Sequence, residues 1–549
     1  MPLSKVFGSD FDFVIPEYQR PYAWEIDQVR QLLEDLTDAL DRDAEEPYFL
    51  GSVVLVKTLG SPAAEVIDGQ QRLTSLTILL AVLRDLTSGD ELRREIQTLI
   101  TEQGSKALNR PAKPRLRLRA RDAEFFEARV QRYGSVETLL TAGSGGASND
   151  SQRAICANAV DLYHTLSSWP EERRLALLQM LMARTFLVVV RTADLNSAHR
   201  IFSVMNARGL DLTPADIFKS LVIGDLPDGE RATYADLWEN AEELLGRDDF
   251  ADLFLHIRMI FAKARGRREL LKEFPEQVLS RYLPTKTAQF VDDVLVPYAN
   301  AYKTIRDRTY VATERASNVN AWFERLSQLD NNDWRPIALW ALRNHSDDSA
   351  WLDQFLQRLE RLAASMFIRR AYTTPRIQRY VELLRELETG RGLDASSFDL
   401  TAGERNETVR HLDGDVYLAQ KTRKYVLLRL DEALANNPGV VYDHAIITVE
   451  HVLPQTPPVV SEWRSSFTDD ERDQWTHRLA NLVLLNRTKN SEAQNYDFAT
   501  KKSKYFTGAN GVATFAVTSQ VLSTAEWTPE GLSERQPTLL ATLQKLWDL

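Results

Sequence analysis

The sequence predicts a mixed, mainly α-helical protein: an α/β part at the N-terminus, a helical connector, and a C-terminal part of two short strands and a helix. Three observations predict it. YFLGSVVLV followed by AEVIDGQQRLTSLTILLAVLRDL reads as a strand, then a strand, a tight turn and a long apolar helix. From about residue 226 to 430, apolar side chains recur at spacings of three and four, as the core stripes of a helical bundle do. Ala445 to Val449 and Leu482 to Leu485 are short apolar runs, and a basic segment of helical character, Phe498 to Phe506, follows them. A chain of 549 residues exceeds what one core can organise, so domains are expected at 1–225, 226–400 and 401–549.

Composition excludes several classes. A net charge of -11 argues against a general nucleic-acid coat and leaves any DNA contact to local basic patches. The single cysteine, Cys156, excludes internal disulfides and a Cys-rich zinc site and fits a reducing compartment. No apolar run approaches the roughly 18 residues a membrane helix needs. The opening MPLSKVFGSDFDF lacks a signal-peptide core, so a cytoplasmic protein with no membrane partner is expected.

In chain order, Phe11 to Ile15 reads as extended. Pro16 and Pro21 then bracket a rigid turn that presents Tyr18, Gln19 and Arg20, ahead of an amphipathic helix from about Glu25 to Leu40. An aromatic face, an amide and a guanidinium on a stiff loop can stack on a base, bond its edge and pair with phosphate, which makes these three candidate DNA contacts. Packing of Tyr18 and Trp24 beneath the next turn is the other reading. That turn is Asp68-Gly69, with a helix opening at Gln70. Free N–H groups and the positive dipole end make such a terminus a phosphate site, and Arg72 in the first turn can add a bidentate contact. A simple cap by Asp68 explains the same residues. No G-x4-G-K-[ST] occurs, so an ordinary P-loop is excluded.

The alternation Arg115, Leu116, Arg117, Leu118, Arg119 reads as a half-buried strand with a basic outer face, suited to phosphate contact or to guarding a sheet edge. Gly143 to Asp150 reads as a surface loop, Thr185 to Val190 as a buried strand, and Ala198 to Asn206 as a helix ending at Arg208-Gly209. Thr213-Pro214-Ala215-Asp216 is an N-cap with Pro in the first turn. Asn206 and Arg208 either reach the Asp68 turn or stabilise their own. In the helical stretch, Arg369, Arg370 and Arg376 either line a DNA path or sit on solvated faces. Phe515, Trp527 and Trp547 in the tail are expected to pack on the C-terminal domain.

The C-terminal strands carry the chemistry. The first delivers Glu450 and His451 side by side to its end, the second begins at Asn481, and Asn490 follows it. Phosphodiester hydrolysis needs a base for water and a cation for the phosphorus and leaving oxygens. Glu450 and the Asn490 carbonyl are hard oxygen ligands suited to Mg²⁺, which keeps several waters. His451 can then serve as the base, its ring tautomer held by the Asn481 amide. Arg487, Lys489, Lys501, Lys502 and Lys504 would face backbone phosphates.

EHVLPQ resembles the D/E-H-I/V-x-P motif of the HNH (ββα-metal) endonucleases, and NLVLLNRTKN has their Asn-x8-Asn spacing. The likeness is closest to the C-terminal nuclease domain of the GmrSD-type modification-dependent restriction enzymes. It implies that His451 is the base, that Glu450 and Asn490 bind Mg²⁺ or Mn²⁺, and that Asn481 supports the loop. Glu450 stands where many HNH domains carry Asp. IPEYQRPYAW, FLGSVVL and VIDGQQRLTSLTIL resemble the N-terminal domain of the same enzymes and of the phosphorothioate-sensing SspE-type antiphage proteins, which has a ParB/sulfiredoxin-like core. In those families the DGQQR motif is tied to binding and hydrolysis of a nucleoside triphosphate, GTP, ATP or another, which implies Asp68, Gly69, Gln70, Gln71 and Arg72 here. The implied protein is a defence endonuclease acting on phage or modified DNA, with a homodimer and a companion modification system compatible with it. A non-catalytic modified-DNA sensor or nucleotide switch, and an NTP-dependent RNA-cleaving toxin, are the alternatives.

Overall fold

Strong β-formers in short runs and long amphipathic stretches give a mainly helical chain with small sheets. The computed structural model describes residues 1–42, 46–58, 60–104, 109, 111–142, 145–193, 213–266, 269–435, 446–486, 495–505 and 515–549. It divides into two compact units, Met1–Asn240 with Leu283–Ala288, and Ala241–Tyr282 with Gln289–Leu549. No described helix is long and apolar enough to cross a membrane.

In the first unit the strands are β1 (Asp12–Val14), β2 (Tyr48–Val56), β3 (Ala63–Asp68), β4 (Thr101–Glu102), β5 (Lys113–Pro114), β6 (Leu116–Arg117) and β7 (Thr185–Thr192). β4 and β5 pair alone, and the other five form a mixed sheet in the order β6-β1-β3-β2-β7. β2 runs antiparallel to β3 and parallel to β7, and β1 is parallel to both its neighbours. β3 feeds through Gly69 into the helix Gln70–Leu86, of which every residue but Arg72 and Leu86 is buried. A helix enclosed on all sides must pair its polar groups. Arg84 accordingly binds Asp85 at 2.6 Å and the carbonyls of Gln131 and Val130 at 3.1 and 3.2 Å, and Tyr22 shares a 2.8 Å hydrogen bond with Ser75.

The arginine alternation is not a basic strand face. Only Leu116–Arg117 is extended in the sheet, and Arg117 alone of the three arginines is exposed. Arg115 is buried because its guanidinium donates to the carbonyls of Thr98 (2.6 Å) and Gly8 (3.0 Å). Arg119 is buried between Asp122 (2.6 Å) and Glu239, which also receives Lys219 at 2.6 Å. The Asn206 and Arg208 helix lies outside the described residues, whereas Thr213 and Asp216 form a reciprocal capping box on the helix Pro214–Asp225.

The second unit is a helical assembly carrying the strands β8 (Thr448–His451) and β9 (Leu482–Leu485). The helix Arg423–Ala435, which leads toward β8, is held through buried charges. Glu360 accepts from Tyr425 Oη (2.5 Å), Arg429 Nε (2.8 Å) and Trp547 Nε1 (3.2 Å), while Glu432 pairs with both Arg429 and Arg325. Arg369 and Arg376 are likewise engaged, by Glu404 at 3.1 Å and Asp333 at 2.5 Å.

In the helix Arg247–Ala262, His256 is buried against Tyr302, ring centroids 6.0 Å apart, and its Nε2 makes no hydrogen bond. Burial, with Arg335 nearby, pushes its pKa down to about 3. The unfolded ring protonates first as pH falls, so the neutral ring's contribution is present above about 6.5 and lost progressively toward 3, at up to about 1.4 kcal/mol per pH unit. Replacing His256 with Leu should therefore flatten the fall in thermal midpoint between pH 7 and 5. Equal acid sensitivity in the two proteins would contradict it.

Candidate active site

β8 and β9 are short and antiparallel, β9 wholly apolar, with Glu450 opposite Val483 and His451 opposite Leu482. The pairing buries Glu450 and His451 at the strand end, and the Val452 N–H donates to the Asn481 carbonyl at 2.9 Å. The residues beyond that end form a small core with Leu453, Trp463, Phe498 and Trp527. Phe498–Thr500 is helical and continues as a π-helix over Lys501–Tyr505, so the basic segment is helical as expected from the sequence.

Asn481 is fully buried and its carboxamide is saturated. Oδ1 accepts from Leu453 N–H (2.7 Å) and Trp527 Nε1–H (3.2 Å), and Nδ2 donates to the carbonyls of Leu453 (3.0 Å) and Thr476 (2.9 Å). Two donors and two acceptor sites are all an amide has, so nothing remains for the imidazole. Asn481 supports the loop after His451 and does not hold its ring.

The ring has other neighbours. His451 Nε2 lies 3.4 Å from His477 Nδ1, and the Gln455 amide nitrogen is 3.3 Å from Nδ1 and 3.4 Å from Nε2. Tyr417 covers His451 with ring centroids 3.8 Å apart, and Arg423 lies over Tyr417 at 4.3 Å. Lys501, suggested by the sequence as a phosphate contact, is instead buried. Its ammonium donates to the carbonyls of His451 (3.0 Å) and Val452 (2.8 Å). Burial pushes its pKa down to about 7, against the pull of nearby Glu450. Lys502 is half-buried and donates to the Thr524 carbonyl at 2.5 Å. Asn490, Arg487 and Lys489 lie outside the described residues. Nothing in the motif pointed to Tyr417 or His477. Their signal was only an aromatic and a second histidine in flanking turns.

In the N-terminal unit the Asp68–Arg72 turn splits its residues between two sides. Gly69 has φ 92°, and a Cβ there would meet Val53 Cγ2 at 2.8 Å, so only glycine lets β3 turn into the helix against β2. Asp68 is pushed up in pKa by burial, opposed by the Gly69 N–H, Arg72 and Arg20. Arg72 turns back to β2, donating to the Ser52 carbonyl at 2.9 Å. Gln71 clamps the proline-bracketed loop, accepting from the N–H groups of Ala23 (2.8 Å) and Trp24 (3.2 Å) and donating to Pro21 O (3.0 Å). A small cleft is lined by Arg20, Gln70, Gln71, Arg119 and Asp122 among others. Tyr18 and Gln19, candidate DNA contacts by sequence, are buried; Tyr18 Oη donates to Glu65 at 3.4 Å. Their burial leaves Arg20 as the one of the three that reaches the cleft.

Asn481→Ala would strand two carbonyls and two N–H groups in the core. At about 1–3 kcal/mol for each unsatisfied buried group, partly relieved by relaxation, the variant should lose several kcal/mol. Its denaturation midpoint should fall well below that of His451→Ala. Matching midpoints would refute the clamp.

Residues 3–223 match the model of the GmrSD restriction endonuclease N-terminal domain, and residues 405–542 that of the GmrSD C-terminal domain. No curated protein matches the chain. The two matches, in the order expected and together spanning most of the sequence, show that the chain belongs to the GmrSD restriction endonuclease family.

Proposed function

We propose that the C-terminal unit is an HNH-type, Mg²⁺-dependent centre that cleaves phage or modified DNA, and that nucleotide binding and hydrolysis at the Asp68–Arg72 turn governs it. The observation that carries the reading is the strand end itself: Glu450 and His451 adjacent and buried on β8, paired with β9, with the loop beyond them clamped by Asn481. Family membership supports DNA as the substrate.

The residues present fit a hard divalent ion. Among the described residues no three His, Cys, Asp or Glu side chains gather as a cage, and Mg²⁺ asks for less, holding several waters and one or two oxygen ligands. Glu450 would hold it together with Asn490. When bound, the ion supplies stabilisation of charge on the phosphoryl and leaving oxygens. His451 takes a proton from the attacking water. Tyr417 covers the imidazole on one side and restricts where that water can stand. Lys501 fixes the two carbonyls at the strand end, so the base and the carboxylate keep one relative orientation. In the other unit, Arg20 and Gln70 line a small cleft beside the Arg119–Asp122 ion pair and would meet a phosphate group at its mouth. Tyr18 and Gln19 act there as scaffold, and modification sensing falls to other exposed groups, Arg117 among them.

The test is cleavage of DNAs of one sequence that carry different base or backbone modifications, with Mg²⁺ or EDTA, and with GTP, ATP or neither. RNA of that sequence is run alongside. Metal-dependent cutting of one DNA class, altered by a nucleotide, is expected. His451→Ala should lower the rate at least about 10²-fold while leaving DNA binding intact. Undiminished cleavage by that variant removes His451 from the mechanism, and preferential cutting of RNA overturns the choice of substrate.

A further inference from the structure

We propose that Val459 and Val460 form an apolar wedge that enters the minor groove of the DNA and parts a base step beside the bond to be cut, a role that rests on the nuclease reading above. Val459 is 84% and Val460 95% exposed, and among the described residues they are the one pair of strongly exposed large apolar side chains adjacent in sequence. A single exposed apolar side chain is ordinary on a protein surface and needs no reason. Two neighbours standing almost wholly in water at the tip of one loop gain free energy only from a surface brought to them.

The loop that carries them is stiff. Pro457 and Pro458 lead into the tip, and their rings fix φ and restrict the residue before each. Pro457 is buried, and its carbonyl accepts from Arg464 Nε at 3.3 Å. The Pro458 carbonyl accepts from Ser461 Oγ at 2.9 Å, the Ser461 carbonyl accepts from the Arg464 N–H at 3.1 Å, and Trp463 between them is packed in the core. Both shoulders of the tip are therefore anchored. Valine, branched at Cβ, has little rotamer freedom of its own. Such a tip loses little entropy when it is buried, which is what placing a side chain between stacked bases requires.

The position of the tip selects DNA as its occupant. The loop is rooted at the candidate centre, where the Gln455 amide nitrogen lies 3.3 Å from His451 Nδ1. Four residues of chain span at most about 14 Å, so Val459 stands within that distance of the root, the length of roughly four base-pair steps. A duplex held with a phosphate at His451 passes within reach of it. The described cations of the basic segment do not compete for that surface, because Lys501 and Lys502 are turned onto the carbonyls of His451, Val452 and Thr524. A further apolar group stands nearby instead: Leu418, 56% exposed, follows the Tyr417 whose ring covers His451. Valines cannot hydrogen-bond a base edge, and they gain by displacing water from the sugar walls of the minor groove and from the faces of a parted step. Parting a step bends the duplex and widens that groove, which gives the strand end room at the backbone.

The experiment uses the full-length chain without metal, so that bound DNA stays whole, and short duplexes with each modification used in the assay above and 2-aminopurine at successive positions. Its fluorescence rises where a base is unstacked. Wild type should raise it at one step of a bound duplex. The double variant Val459→Ser, Val460→Ser should remove the rise and, with Mg²⁺ present, lower kcat/KM for cleavage about tenfold, its thermal midpoint unchanged because both side chains are exposed. The double variant Val459→Leu, Val460→Leu, still apolar, should keep both the rise and the cleavage. A serine pair that binds, unstacks and cuts within twofold of wild type overturns the proposal, as does a leucine pair that fails as the serine pair does. A serine pair that cuts like wild type and differs only in self-association makes the tip a protein contact and also overturns it. If no DNA is cut, or His451→Ala cuts like wild type, the nuclease reading fails by itself, and the fluorescence of the metal-free complexes still decides the wedge.

Discussion

The Asn481 carboxamide is the constraint on which the candidate centre depends. Its four hydrogen bonds join three chain segments that also share one apolar core: the loop after His451, the turn before His477, and the tail at Trp527. A single buried amide is an economical device for this, because it can satisfy a backbone N–H and a backbone C=O of the same residue at once, as it does at Leu453. The loop after β8 then cannot slide without stranding polar groups in the core. Lys501 adds a second restraint from below, capping two carbonyls at the strand end with one ammonium. The cost is visible in the depressed pKa of that ammonium, which burial sets near 7. Stability is spent there on geometry, as is usual where side chains must meet a substrate in one arrangement.

The N-terminal turn is organised by a different constraint, the close approach of backbone to backbone. Val53 leaves no room for a Cβ at residue 69, and Gly51 in turn lies against the Arg72 guanidinium. The helix therefore starts hard against β2, and Arg72 is spent on the Ser52 carbonyl. Gln71 is spent on the loop between Pro21 and Trp24. The side chains that line the cleft, Arg20, Gln70, Gln71, Arg119 and Asp122 among them, come from three separate stretches of chain. The consecutive residues of the motif therefore face different neighbours in three dimensions.

Backbone pattern was legible in the sequence. Tyr48–Val56 and Leu482–Leu485 are strands with the boundaries their apolar runs suggest, and the Thr213 capping box opens its helix where Pro214 requires. So was the adjacency of Glu450 and His451, since consecutive residues at a strand end need no tertiary information. What escaped was the destination of long polar side chains. Arg115 and Arg119 alternate with leucines as surface residues do, yet carbonyls of Gly8 and Thr98 and the distant carboxylate of Glu239 draw them inside. Tyr18 sinks because Glu65 on β3 offers its hydroxyl an acceptor. Lys501 sinks because the strand end exposes two carbonyls. Each partner lies far along the chain, and periodicity records only how a side chain faces its own element.

If the end of β8 is the metal-dependent nuclease centre proposed above, Glu450 is a ligand of its ion. Binding of Mn²⁺ to the full-length protein, followed by the EPR signal of the free ion, tests this without reference to any DNA substrate or nucleotide. Wild type should take up the ion, and Glu450→Gln, which keeps shape and removes the charge, should weaken uptake at least about tenfold with its thermal midpoint maintained. Equal Mn²⁺ binding by the two proteins would contradict the account.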